Sequence, residues 1–195
     1  MITTIKNKIQ EQLTDFTIQD GSGQRTIGDL LEFKVIEILK SLKDDKLIND
    51  YVEARSKKSV EDISLIKNGI HHYVDIKTHN LDLAFSMPNL TSIEKLREIL
   101  LDENKSLIYV FISYKIQENL VMINNIEVKY IWNLDFSILR IGSLGRGQLQ
   151  IKNMNNELIF NDDTKLTWFE KLKKVVNLYH DSRIKKIEKE KKLWT

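Results

Sequence analysis

The dipeptide Asn68-Gly69 sits between two apolar-patterned runs, Val60, Ile63 and Leu65 before it and Ile70 to Ile76 after it. Asn-Gly supplies the two left-handed backbone positions that a two-residue hairpin turn needs, so SVEDISLIKNGIHHYVDIK is expected to fold back as two antiparallel strands. A turn centred there sets the register. Asp62 then falls roughly opposite Asp75, within the slack of a bulge. Side chains alternate along a strand, so Asp75 and Lys77 share a face while Val74 and Ile76 point into a core. His71 and His79 share the Asp75 face by the same parity, and His72 takes the other.

A carboxylate beside an ammonium is an ordinary surface pair in a chain that is 30% charged, and such a pair contributes little stability. Two opposed carboxylates are less ordinary. They repel unless positive charge stands between them, and a hard, oxygen-seeking divalent cation answers that need. Mg²⁺ uses one or two protein carboxylates together with substrate phosphate oxygens. Lys77 beside it would orient or deprotonate an attacking water, or stabilise transition-state charge.

Upstream, RTIGDLLEFKVIEILKSL reads as an amphipathic helix with Leu30, Leu31, Val35, Ile38 and Leu39 on its apolar stripe, Thr26 as N-cap and Glu32 near the stripe. Downstream, FSMPNLTSIEKLREILL carries the only proline, Pro88, ahead of a helix that Thr91 or Ser92 would cap, with Glu94 placed for a capping box. SLIYVFISYKI, 106 to 116, is a continuous apolar run of the kind found at a sheet centre. Residues 132 to 141 read as strand-like, followed by a turn with three glycines around Arg146 and the alternating Leu149 and Ile151. A last helix runs from about 164 to 192, burying Trp168, Leu172, Val175 or Val176, and Tyr179. Its end, RIKKIEKEKK, sets six basic residues against two acids, which a favourably charged helix C-terminus explains without a ligand.

Asp62, a spacer containing a turn, then Asp75-Ile76-Lys77 resembles the active-site pattern of the PD-(D/E)xK nucleases, and most of all the type II restriction endonucleases. Glu61 stands where the signature has proline, a departure many members share. The helix after Pro88 and the Gly-rich loop, IGSLGRGQLQIKN, are similar to segments found after the catalytic strands in such enzymes. The resemblance implies an α/β fold, a single restriction-endonuclease-like domain over residues 1–195 with a central mixed β-sheet flanked by helices. Its catalytic core would span about 24–116, its DNA-reading loop about 141–153 and its C-terminal helix about 164–192.

It further implies Mg²⁺, replaceable by Mn²⁺, held by Asp62 and Asp75, with Lys77 at the water and Glu32 as an acidic residue reaching the metal through water. The reaction would be in-line hydrolysis of a phosphodiester in double-stranded DNA. Arg146, Gln148, Gln150, Asn89 and His79 are the candidate DNA contacts, since Gln can pair with an adenine edge, Arg with guanine or phosphate, and glycines admit close backbone approach. A homodimer, one site per strand, and a cognate methyltransferase follow by the same analogy. The N-terminal helix, about 3 to 14, and the C-terminal helix are candidates for the dimer contact. Two alternatives stay open: a nuclease that recognises DNA structure in repair or recombination, and a DNA-binding module that does not cut.

Bulk properties narrow the rest. The 195 residues, 42% hydrophobic, suffice for one sizeable core. Zero cysteines remove thiol catalysis, disulfides and zinc ribbons and suit a reducing cytoplasm. The N-terminus lacks a signal-peptide core, and no apolar run is long enough to span a bilayer. Ser64 and Ser113 lack a nucleophile elbow, and no Gly-Lys-Ser/Thr follows the glycines. A net charge of +2, with 28 acids diluting the bases, requires a DNA binder to segregate its charges in space.

Overall fold

A computed structural model of the protein describes residues 1–18, 24–54, 59–84, 87–142 and 147–194. The elements run α1 (Ile2–Gln12), β1 (Phe16–Thr17), α2 (Gln24–Asp44), β2 (Asp50–Glu53), β3 (Ile63–Lys67), β4 (Ile70–Asn80), β5 (Asn89–Ser92), α3 (Ile93–Leu101), β6 (Lys105–Gln117), β7 (Leu120–Tyr130), β8 (Leu139–Gly142), β9 (Gln148–Ile151) and α4 (Lys165–Lys191). Six strands form a mixed central sheet in the order β1-β7-β6-β4-β3-β2, and three form a small sheet, β5-β9-β8. Helices flank the large sheet, which gives the expected α/β architecture of a central mixed sheet between helices.

The β3–β4 hairpin has the register expected of its turn, with Lys67 opposite Ile70 and Ile63 opposite Val74. Asn68 and Gly69 carry φ of 51° and 78°, the left-handed pair that lets a two-residue turn follow the twist of its strands. Nothing lies within 4 Å of a Cβ placed on Gly69. Gly69→Ala therefore tests backbone conformation alone, and a loss of about 1 kcal/mol in chemical denaturation is expected.

β4 and β6 pair in parallel at the sheet centre, joined through β5 and α3, while the other ladders of the large sheet are antiparallel. Alternation divides the sheet's side chains between two cores. Val74, Ile76, Ile108, Val110 and Ile112 pack with Ile5 and Ile9 of α1 and Leu31, Val35 and Leu39 of α2. Leu107, Tyr109 and Phe111, on the opposite face, pack with Leu90, Leu149 and Ile151 of the small sheet, Leu96 of α3 and Trp168 of α4. Trp168 stacks on Phe136, 4.8 Å between centroids, and its indole N–H donates to the Leu134 carbonyl at 2.8 Å.

Several local expectations change. Leu30 is 39% exposed, and Ile27 and Leu42 complete the α2 stripe in its place, because the helix is rotated to lay Leu31, Val35 and Leu39 on the sheet. α2 opens two residues before Thr26, so Thr26 is not its N-cap, and the Thr26 side chain lies outside the described residues. Ser92 caps α3, accepting from the Lys95 N–H, while Thr91 ends β5, so Glu94 falls one position short of a capping box. The run from 132 to 141 holds the end of one 3₁₀ turn, Ile131–Asn133, and the whole of another, Phe136–Ile138, before β8 begins. Asp135 draws the chain into the second by accepting from the Ser137 N–H. α4 starts at Lys165, close to the expected 164, and Thr164 caps it by accepting from the Thr167 N–H.

Candidate active site

β3 begins at Ile63, opposite Val74, so its ladder stops short of Ile76 on β4. Asp62, the next residue out, fills the gap: its Oδ2 accepts from the Ile76 N–H at 2.7 Å, while its own N–H donates to the Val74 carbonyl at 2.9 Å. One oxygen is thereby fixed. Oδ1 makes no hydrogen bond among the described residues, so the carboxylate is held with an edge to offer. Asp75 stands across from it on β4, 6% exposed, with Lys77 Nζ 2.6 Å from its Oδ2. That ion pair is the one partner of Oδ2 among the described residues.

Glu32 reaches the same field from α2. Helix and strand approach closely here, since a Cβ on Gly28 would come 2.9 Å from the Thr78 hydroxyl, and Glu32 follows Gly28 by about one turn. Burial raises the proton affinity of Glu32, and repulsion from Asp62 adds to it against the pull of Lys77. Asp62 is likewise raised by burial, opposed by its bond from Ile76 and by Lys77. Asp75 is pushed up to about 7, first by burial, with Lys77 opposing and Asp62 and Glu32 adding repulsion. Among the described residues, Lys77 is the cation whose pull all three carboxylates share, and Lys95 also lines the cleft.

The donor set fits a hard divalent cation: carboxylate oxygens only, one of them buried and without a hydrogen bond. Among the described residues no three His, Asp or Glu groups are placed to hold an ion by themselves. The arrangement suits an ion that completes its shell with water and substrate oxygens. A cleft of about 370 Å³ opens over Asp62, Asp75 and Lys77. β5, the start of α3 and Gln148 form its wall, so the partly positive N-terminus of α3 borders the carboxylates.

The structure brings Asp62, Asp75, Lys77, Glu32, Asn89 and Gln148 to this neighbourhood. It does not bring Gln150 or His79. Gln150 is 6% exposed, donates from Nε2 to Asn89 Oδ1 at 2.6 Å and fills the space beside Gly142, where a Cβ would collide with its amide. It holds Asn89 and does not face the cleft. His79 is buried at another cavity. His71 is half-buried beside Tyr73, and His72, on the opposite face, bonds the Ser106 hydroxyl at 2.7 Å and is kept neutral by burial, its pKa lowered to about 4. Arg146 lies outside the described residues.

Sequence reading missed Tyr109, which pairs with Asp75 across the β4–β6 ladder. Its hydroxyl is fully buried, has no hydrogen-bond partner, and is held protonated by burial and by the nearby Asp75 and Asp62. The only sequence signal is a phenol within an otherwise apolar run. A buried donor without a partner contributes nothing to stability. Tyr109→Phe is accordingly expected to melt at the same temperature or higher; a loss above about 1 kcal/mol would reveal a hydrogen bond.

No protein-family model matches the sequence, and no curated protein matches it. Among the described residues, no helix is long and apolar enough to cross a membrane. Among solved structures, the chain is similar to the NlaIV restriction endonuclease, at 13% sequence identity and a TM-score of 0.51, over 80% of this chain and 71% of that one. At that identity the likeness is one of fold, and the fold is restriction-endonuclease-like.

Proposed function

We propose that the protein is a Mg²⁺-dependent endonuclease that hydrolyses phosphodiester bonds of double-stranded DNA at specific sequences, a type II restriction enzyme of the PD-(D/E)xK kind. The observation that carries this reading is the pair of opposed carboxylates, Asp62 and Asp75, with Lys77 on the Asp75 face, in a cleft bordered by a helix N-terminus. The likeness in fold to a restriction endonuclease supports it.

Asp62 and Asp75 would hold the metal, Mg²⁺ or Mn²⁺, which supplies Lewis-acid stabilisation of negative charge on the phosphate. Lys77, an ammonium with three donors, holds the attacking water or a phosphate oxygen by donation. Water attacks phosphorus in line, the bond to the 3′ oxygen breaks, and its electron pair leaves with that oxygen. Glu32, whose proton affinity burial raises against the pull of Lys77, is the carboxylate suited to take the water's proton. Asn89, held by Gln150, and Gln148 are placed at the cleft wall to contact DNA. The reading carries with it a cytoplasmic homodimer with one site per strand and a cognate methyltransferase.

Digestion of plasmid, phage, forked and flapped DNA with Mg²⁺ and an EDTA control tests the reading. Discrete fragments from plasmid and phage are expected. Cutting confined to forks and flaps would assign a structure-specific nuclease instead, and a gel shift without cutting would leave a binding module.

A further inference from the structure

A second cavity, of about 390 Å³, is bordered by His79, Phe111 and Ser113, residues of the sheet face that also carries Asp75 and Lys77. His79 lies two residues beyond Lys77 on β4, so the two sites are about 7 Å apart along one strand. His79 is only 2% exposed, and neither ring nitrogen makes an aligned hydrogen bond, although Asn155 stands beside it. A buried imidazole with two idle polar atoms costs stability, and a ligand that supplies partners would recover it.

The rest of the lining defines what that ligand is. Asn124, Asn125 and Asn156 offer amides that both donate and accept, and Phe160 offers a half-buried ring that Lys129 approaches to 4.7 Å, while Phe111, buried and stacked on Tyr109, forms the apolar floor. No lysine or arginine is among the described lining residues; the charges are Glu157 and Glu127, the latter paired with Lys6 at 3.0 Å. With Glu127 paired and amides predominating, such a lining suits a flat, neutral ring with mixed donors and acceptors.

We propose that this cavity is a nucleobase site, taking the ring of a purine or pyrimidine and leaving sugar and phosphate outside. The volume is within the range of small-ligand pockets, and amide edges with aromatic rings are the groups that read and stack an unpaired base. Two sources share that chemistry: a free nucleoside, and a base drawn out of duplex DNA lying in the carboxylate cleft. The second rests on the nucleic-acid reading above; the first does not.

The test is calorimetric titration of the full chain with adenosine, guanosine, cytidine and thymidine in EDTA, followed by fluorescence of duplexes carrying 2-aminopurine at successive positions. At least one nucleoside is expected to bind. Asn125→Leu and Asn156→Leu, at exposed rim positions, and His79→Phe should each weaken binding about tenfold with an unchanged circular dichroism spectrum. Where a nucleoside binds, brightening of 2-aminopurine identifies an extruded base as the occupant of the site, and binding without brightening identifies a free nucleoside. No nucleoside binding to the wild-type chain, or equal binding by wild type and the rim variants, would overturn the proposal. Plasmid cleavage, scored separately with Mg²⁺, keeps the two readings apart: cutting without nucleoside binding removes only this one, and nucleoside binding without cutting removes only the other.

Discussion

Asp75→Asn is expected to abolish DNA cleavage, by a factor on the order of 10³ or more, while leaving the fold intact. The substitution keeps the shape of a side chain that is buried on β4 beside Lys77 and removes only its charge. That charge would offset the divalent cation, so its loss acts on the chemical step. Packing should tolerate the change, because the amide keeps the carboxylate's shape and an oxygen for Lys77, and the lost ion pair is offset by relief of repulsion from Asp62 and Glu32. Loss of cleavage in a variant that unfolds would say nothing about the site. The informative result pairs an undigested substrate with a melting temperature at or above that of the wild type.

The same carboxylate predicts how stability depends on pH. Asp75 titrates near 7 in the folded chain and near 3.8 when free of it. Between those values the folded state retains a proton that the unfolded state has released, so stability is greatest below about pH 4 for this group and falls as pH rises toward 7. Roughly three pKa units correspond to a loss of at most about 4 kcal/mol. Asp62 and Glu32, raised by burial as well, tilt the curve the same way. Denaturation midpoints in EDTA should therefore decline from pH 5 to pH 8. Asp75→Asn should flatten that decline, and so should added Mg²⁺. A profile that is flat for the wild type in EDTA, or as steep in the variant, would show that these acids are not crowded in solution.

What was legible in the sequence was local. Asn68-Gly69 determined a turn, the turn determined a register, and the register set Asp62 against Asp75, all within residues close along the chain. The parity of β4 likewise put Asp75 and Lys77 on one face. What was not legible depended on distant partners. Tyr109 meets Asp75 only because β4 and β6 pair in parallel, and nothing in the apolar run 106 to 116 states which strand lies beside it. The small sheet joins four-residue strands from near 90 and near 150, each too short to show a period.

Gln150 shows the limit most clearly. It shares strand parity with Gln148, yet only Gln148 borders the cleft, because the absent side chain at Gly142 leaves a space that the Gln150 amide fills. Leu30 shows another: a stripe read from periodicity has no absolute phase until the sheet it covers is known. Of the expected 132 to 141 strand only 139 to 141 is extended, in β8, since Asp135 and its bond from the Ser137 N–H favour a turn before it.

The central claim is that Asp62, Asp75 and Lys77 form a phosphodiester-cleaving centre. The most direct measurement is the cleavage of supercoiled plasmid by purified wild type, Asp62→Asn, Asp75→Asn and Lys77→Ala, each with Mg²⁺ and with EDTA. The account predicts linear or discrete fragments from the wild type with Mg²⁺ alone, and intact plasmid from all three variants. Plasmid cut equally by wild type and variants, or cut in EDTA, would contradict it.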